Sequence, residues 1–266
     1  MRISLPFLLL TTHMAAGILL LLLTISPVVQ KSFFRLCALL TAALIVVTMP
    51  VRYQPRFYDP RAFTVSCLCL GATLAYLLTL LKDHPKLERN FLLIASTSAI
   101  FLSGLDMSTL KRLTGFATST ILLYTSFFFS SLLLGSTMVA MLIGHWYVMD
   151  TSMSIAHLKK ASTWFAVAVW LRLGLAGGAL VYYWAQASYD RQAVVRLIDP
   201  LGEGIMLWFR VLIGLLGPLI LTFFIARTVN LRATLSATGL FYVAVIFVLF
   251  GELLAKYLLT VSYIPV

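Results

Sequence analysis

Residues 4–26 read SLPFLLLTTHMAAGILLLLLTIS, an apolar run that contains no acidic or basic residue other than His13. A membrane-spanning helix needs roughly 20 apolar residues. The run is too long for the apolar part of a signal peptide, and the following PVVQKSF contains no small-residue cleavage site. This stretch therefore predicts a transmembrane helix, and the rest of the chain repeats the same kind of segment.

Seven further apolar runs follow, separated by short polar segments. Their predicted bounds are 33–49, 63–81, 90–108, 116–148, 161–186, 205–226 and 236–262. Hydrophobic residues make up 61% of the 266 residues and charged residues 11%, whereas soluble domains run near 45–50% apolar and about 25% charged. The sequence therefore predicts an all-α integral membrane bundle of eight transmembrane helices, with residues 1–266 forming a single transmembrane domain.

The formal net charge of +11 does not indicate nucleic-acid binding. The Lys and Arg residues lie in the short segments between apolar runs, where they set topology and contact lipid headgroups. Eight spans place both termini on one face of the membrane, which we call side A, and the opposite face is side B. Basic residues are nearly balanced between the two faces, and acidic residues are more frequent on side A. We predict that side B is cytoplasmic.

The sequence predicts no haem or metal site in this chain. Its three cysteines lie inside apolar runs and form no CxxC pair. His13 and His145 differ in predicted depth by roughly 15 Å, which is too far for two ligands of one haem. The other two histidines, His84 and His157, are predicted to lie in loops.

Ionisable side chains inside the apolar runs are the main functional signal, because each costs at least ~2.5–3.5 kcal/mol to place near the bilayer centre. Four of them are predicted to share one layer in the half of the membrane toward side A: His13, Asp106, Arg172 and Glu252. Arg172 is expected to pair with Glu252, because an unpaired guanidinium is not tolerated at that depth. The pair can simply hold two helices together. The functional interpretation is a proton-handling site or a site for a quinone headgroup.

Three secondary candidates lie in the fifth and eighth runs. Lys256 follows Glu252 by four residues, so it is an alternative partner for that carboxylate on the same helix. His145 and Tyr147 lie near the side B end of the fifth run, where an aromatic belt at the membrane interface is the simpler interpretation.

Three stretches carry a resemblance to a known family. They are PFLLLTTHMAAGILLLLL at 6–23, FRVLIGLLGPLILTFFIAR at 209–227 and FVLFGELLAKYLL at 247–259. They resemble the first, seventh and last spans of the polytopic membrane anchors of respiratory molybdopterin oxidoreductases, which include the dimethyl sulfoxide, polysulfide and nitrite reductase anchors. The last stretch is similar to the family's closing signature, with Glu252 and Lys256 at its acidic and basic positions.

The resemblance implies a function. An anchor of this family binds an iron–sulfur electron-transfer subunit on side A, beside a catalytic or multihaem subunit of the same complex. It exchanges electrons with a quinone, either menaquinone or ubiquinone, held near that face. The resemblance also implies the cytoplasmic (inner) membrane of a bacterium, with both termini periplasmic. The chain would be a quinone-site subunit that is not catalytic by itself.

The chain departs from the family in one place. Dimethyl-sulfoxide-type members have a histidine-containing turn after the second span, associated with quinol binding. The corresponding stretch here, MPVRYQPRFYDPRAF at 49–63, contains no histidine. Arg52, Tyr53 and Asp59 are secondary candidates for donors in that loop, by position alone.

Two other classes of protein compete with this interpretation. A secondary transporter or proton-conducting subunit also needs a charged layer in the membrane, and it is expected to have broken helices at matching positions of two repeats. No internal repeat is visible, and Pro218 is the only clear helix breaker inside a run. A membrane enzyme acting on lipid needs a His or Asp motif at an interface, which only HWY at 145–147 approaches. The quinone-linked anchor is the predicted function, and the transporter is the alternative.

Overall fold

The computed structural model of the chain describes residues 3–27, 29–82, 84–114, 119–149, 154–185, 195, 197–200, 204–262 and 264–266. Eight helices in these ranges are long and apolar enough to cross a membrane. They are α1 (Ser4–Leu22), α2 (Lys31–Arg52), α3 (Pro60–Lys82), α4 (Pro85–Thr114), α5 (Thr120–Met149), α6 (Ile155–Ala185), α7 (Gly204–Asn230) and α8 (Thr234–Val261). No strand occurs in the same ranges. The predicted all-α bundle of eight membrane spans is confirmed.

The end of α2 differs from the prediction. The second apolar run was expected to stop at residue 49, with Arg52 in the loop that follows. Instead α2 continues through Pro50, and Arg52 is its last residue. The Arg52 side chain is buried rather than exposed to solvent, so its assignment to loop 50–62 was wrong.

Helices α1 to α4 form one four-helix bundle, and α5 to α8 form a second. In each bundle every helix packs on the next one in the sequence, and the fourth packs on the first. The short connections favour this arrangement, because they join neighbouring antiparallel helices. The two-bundle arrangement was not predicted, since the sequence shows no internal repeat.

The bundles meet along α1 and α5, which are the most enclosed helices. In each, 83% of the most apolar stretch is buried within the protein. Their main chains come into direct contact at Gly17 and Gly135, where a Cβ on either glycine would overlap with the backbone of the other helix. Small residues permit such close approach in membrane proteins. Because α1 also packs on α8, its side chains can contribute to sites in either bundle.

Helix α7 is interrupted by a π-helical turn at Leu212–Leu216, immediately before Gly217 and Pro218. Pro218 has no N–H and cannot donate to the carbonyl of Gly214, four residues earlier. Arg210 Nη1 donates to that carbonyl instead, at 3.0 Å. The turn therefore helps to position Arg210. Helix α3, the third helix of the first bundle, is continuous, so the matching breaks expected of a transporter are not found in these two described helices.

Candidate functional site

Glu252 of α8 lies at the centre of a buried cluster of polar side chains from four helices. Its Oε1 accepts hydrogen bonds from Arg172 Nε at 2.9 Å and from Arg210 Nη2 at 2.7 Å. Its Oε2 accepts hydrogen bonds from Ser130 Oγ at 2.5 Å and from Lys256 Nζ at 3.3 Å. Both partners predicted for Glu252, Arg172 and Lys256, therefore bind it, and Arg210 is a third cationic partner. We call this group, together with His13, the Glu252 cluster.

Arg172 links α6 to three other parts of the second bundle. Besides its contact with Glu252, its Nη1 donates to Ser126 Oγ of α5 at 3.1 Å. Its Nη2 donates to the main-chain carbonyl of Val266 at 3.1 Å. The guanidinium is 1% exposed, and a buried charge must be fully hydrogen-bonded to be tolerated. Arg172 therefore acts as a structural connection between helices.

Three cationic side chains surround the single carboxylate of Glu252. A carboxylate offers about four acceptor sites on its two oxygens, and Glu252 receives five hydrogen bonds, two of them from Arg172. Neither oxygen has a position left for a hydroxyl group of a ligand. We therefore assign Glu252 the role of counter-ion for the cations around it, rather than that of proton acceptor.

His13 of α1 joins this cluster from the first bundle. Its Nδ1 lies 3.4 Å from Ser130 Oγ. Ser130 donates its only hydrogen to Glu252 and accepts one from Lys256, so its oxygen can only accept from His13. Nδ1 of the neutral ring therefore carries the hydrogen, and Nε2 is left as an acceptor. Nε2 is buried and has no hydrogen-bond partner among the described residues.

A groove with an apolar lining lies beside His13, between α4 and α5, and α1 forms its floor. The cavity has a volume of about 290 Å³. It opens toward the lipid, since Tyr124 and Ile100 in its wall are 48% and 40% exposed. The inner wall includes Phe127, whose ring packs edge-on against His13 with 4.5 Å between centroids. Lys256 Nζ lies 5.9 Å from the centroid of the same ring. Phe127 thus lies both in the wall of the groove and against the Glu252 cluster.

Asp106 does not contact the Glu252 cluster, although it was predicted to share a layer with Arg172 and Glu252. Its two carboxylate oxygens accept hydrogen bonds from Arg52 Nη1 at 2.5 Å and Nη2 at 2.8 Å. Arg52 Nη2 also donates to Thr12 Oγ1 of α1 at 2.9 Å. The sequence did not predict Arg52 as the partner of Asp106, because Arg52 was expected to lie in loop 50–62. Thr12 precedes His13, so adjacent residues of α1 contact different bundles: Thr12 accepts from Arg52 of the first, and His13 lies beside Ser130 of the second.

The two bundles repeat the same arrangement of charges. In each, an arginine on the second helix binds an acidic side chain on the fourth helix and a hydroxyl group on the first. The sets are Arg52, Asp106 and Thr12 in the first bundle and Arg172, Glu252 and Ser126 in the second. The arginine–acid pair is therefore a shared structural device. The second bundle differs by adding Arg210, Lys256 and, across the seam, His13.

The other secondary candidates make no described contact with the Glu252 cluster. Tyr53 is 71% exposed at the end of α2, and Asp59 accepts a hydrogen bond from the main-chain N–H of Arg61 in the first turn of α3. His145 Nδ1 lies 2.9 Å from the hydroxyl of Tyr242, near the side B end of α5. Tyr147 is buried one turn from that end, and its hydroxyl contacts no polar group of the described chain.

Three residues that bind Glu252 or Arg172 were not predicted as site residues: Ser126, Ser130 and Arg210. Arg210 carried a detectable signal, because it is a charged residue inside the seventh apolar run. The two serines carried none, since a serine in a membrane helix commonly bonds its own main chain, as Ser131 does with the carbonyl of Phe127.

No protein-family model matches the chain, and no curated protein aligns with it significantly. The function is therefore argued from the chemistry of the residues themselves.

Proposed function

We propose that the chain is the membrane anchor and quinone-interacting subunit of a bacterial respiratory oxidoreductase complex. It would pass electrons between a membrane quinone and a partner iron–sulfur subunit, as the resemblance to the molybdopterin oxidoreductase anchors also implies. The observation that carries the proposal is the position of His13. Its Nε2 is buried without a hydrogen-bond partner among the described residues, and its ring packs on Phe127, which lines a groove that opens to the lipid.

This combination suits a substrate that is soluble in the membrane and exchanges protons. The apolar groove between α4 and α5, about 290 Å³ in volume, can hold the ring of a quinone, with the isoprenoid chain extending into the lipid. The hydroxyl of the reduced form, the quinol, needs an acceptor within hydrogen-bond reach. Nε2 of His13 is the proposed acceptor, and the Phe127 side chain would have to move aside for the quinol to reach it.

Quinol oxidation releases two electrons and two protons. In the proposed site the electrons would pass to the redox centre of the partner, and each of the two protons would pass in turn to His13 Nε2 before it leaves the site. The same groups serve quinone reduction in the reverse direction. The chain supplies the pocket, the acceptor and the docking surface, while the partner supplies the redox centre.

The site lies near the middle of the membrane. At 1.5 Å per residue, His13 is about 14 Å from either end of α1. Glu252 is about 14 Å from the end of α8 and about 27 Å from its start, so it lies in the side A half of that helix. The choice of side A for the partner follows from the resemblance.

The test uses the complex purified through a tag on this chain, assayed for oxidation of a short-chain quinol by absorbance. His13→Gln keeps a polar side chain of similar size but cannot take up the proton. We expect the rate to fall by about a hundredfold, within the range of general acid–base catalysis. The matched control is His145→Gln. It removes a histidine that lies neither in the groove nor in the Glu252 cluster, so the rate should be unchanged.

Two results would count against the proposal. A His13→Gln complex that oxidises quinol at the wild-type rate would remove His13 from the reaction. A purified chain that brings down no subunit containing iron–sulfur clusters would contradict its assignment as an anchor, whatever quinone it binds.

A further inference from the structure

We propose that Lys256 binds the oxidised form of the quinone, by donating a hydrogen bond from its Nζ to a ring carbonyl oxygen. The inference rests on the quinone-binding function proposed above and concerns the half of the cycle that His13 does not serve. Nδ1 of the neutral His13 ring carries the hydrogen and lies against Ser130, so Nε2 is an acceptor only. A quinol hydroxyl can donate to Nε2, whereas a quinone carbonyl is itself an acceptor and needs a donor.

The hydroxyl groups that line the groove are engaged elsewhere or lie at its mouth. Three of them donate to main-chain carbonyls of their own helices at 3.0–3.1 Å: those of Ser103, Thr125 and Ser131. The fourth belongs to Tyr124, which is 48% exposed on the lipid side. A carbonyl oxygen that has reached His13 is therefore expected to take its donor from the Glu252 cluster behind Phe127.

Lys256 has one N–H bond available for a ligand. An ammonium group has three donors, and among the described residues Nζ finds two acceptors, Ser130 Oγ at 2.5 Å and Glu252 Oε2 at 3.3 Å. Nζ also lies 5.9 Å from the centroid of the Phe127 ring, and His13 packs on the same ring. A quinone oxygen that takes the place of this ring therefore enters a space that both His13 and Lys256 border.

The charge of Lys256 is not needed to neutralise Glu252. Arg172 and Arg210 bind the same carboxylate at 2.9 Å and 2.7 Å, and two cations already exceed its single negative charge. A third cation, 2% exposed inside the membrane, adds an electrostatic cost. Lysine has a flexible stem with rotatable donors, so Nζ can turn toward a ligand while the two arginines stay in place. A ligand oxygen accounts for a charge that the packing of the bundle does not require.

The test measures binding of an oxidised quinone, so that no turnover is involved. The protein, purified in detergent through a tag on the full chain, is titrated by calorimetry with dimethylnaphthoquinone and, separately, with dimethylnaphthalene, which has the same rings and methyl groups but no oxygens. Titrations into empty micelles are subtracted. Lys256→Met keeps a long unbranched side chain. It should weaken quinone binding about tenfold, within the range of one hydrogen bond to a charged group, and leave binding of the hydrocarbon unchanged.

The ratio of the two affinities is the quantity that decides, because a purely structural role of Lys256 would change the binding of both compounds alike. Lys86→Met is the matched control. It makes the same substitution at an exposed position in the first turn of α4 and should leave the ratio as in the wild type. Lys256→Met should assemble and melt close to the wild type, since Glu252 keeps both arginines.

Several results would overturn the proposal. They are a wild-type ratio in Lys256→Met, a loss of the preference for the quinone in Tyr124→Phe instead, and an equal change of the ratio in Lys86→Met. Failure of Lys256→Met to assemble would also overturn it, because Glu252 would then depend on Lys256. In each of these cases saturable binding of the quinone by the wild type would still support the proposed function. If the wild type binds no quinone saturably, the proposed function fails as well.

Discussion

Replacing Glu252 by Gln should strongly destabilise the second bundle, although the two side chains are nearly the same in shape. The carboxylate receives five hydrogen bonds from four side chains. In the variant an amide NH₂ replaces one of the carboxylate oxygens. Its N–H groups then face the N–H or O–H groups that had donated to that oxygen, and no hydrogen bond can form between them. Arg172, Arg210 and Lys256 would then remain buried without any negative charge beside them.

The size of the effect follows from the contacts that survive. Removing one partner of a buried ion pair costs about 3–5 kcal/mol, because the remaining charge is uncompensated. Arg172 keeps two acceptors other than Glu252, and Arg210 and Lys256 keep one each; all are main-chain carbonyls or serine hydroxyls. We therefore expect the free energy of unfolding to fall by about 3–5 kcal/mol rather than by several times that amount. Titration of the protein from a mild detergent into dodecyl sulfate measures this quantity.

Glu88→Gln is the control, since it makes the same change in a pair that reaches solvent. Glu88 binds Lys31 at 3.0 Å, and the Lys31 side chain is 42% exposed. Such pairs contribute about 0–1 kcal/mol, so this variant should unfold almost like the wild type. Adding Lys256→Met to Glu252→Gln should recover part of the loss by removing one uncompensated charge. If Glu252→Gln itself unfolds like the control, the carboxylate does not hold the cluster together and the reasoning fails.

Three further changes test other parts of the molecule. Gly17→Ala places a Cβ against the backbone of α5 and should lower the free energy of unfolding by about 1–3 kcal/mol, whereas Gly174→Ala, whose Cβ meets open space, should not lower it. Replacing Arg52 or Asp106 alone by Leu should destabilise by about 3–5 kcal/mol, and replacing both should recover most of that loss in the same titration. Gly104→Leu fills the groove beside His13's helix and should slow quinol oxidation several-fold at an unchanged melting temperature; an equal effect of Gly174→Leu would contradict this.

The helix count could be predicted because each membrane span must carry its own apolar run and satisfy its own backbone hydrogen bonds. The Arg172–Glu252 pair also followed from the sequence. Two opposite charges lie at similar depths in different runs, and the membrane interior does not tolerate either alone. That argument needs no knowledge of which helices are neighbours.

The partner of Asp106 could not be predicted in the same way. The apolar run of α2 stops before Pro50, and a proline normally ends a helix or bends it. Only the structure shows that the helix continues to Arg52 and turns this side chain inward. The contact of His13 with Ser130 was equally hidden, because it depends on how α1 packs against α5. No pattern within a single run reports the packing of two helices.

The sequence separation of the buried charges has a consequence for biosynthesis. Arg172 precedes Glu252 by 80 residues, and Arg210 precedes it by 42. At about 5–20 residues per second, the ribosome makes Arg172 some 4–16 s before the carboxylate that neutralises it exists. A lone guanidinium at this depth costs at least ~2.5–3.5 kcal/mol on insertion scales. We therefore expect α6 and α7 to pack stably in the second bundle only after α8 has emerged with its carboxylate.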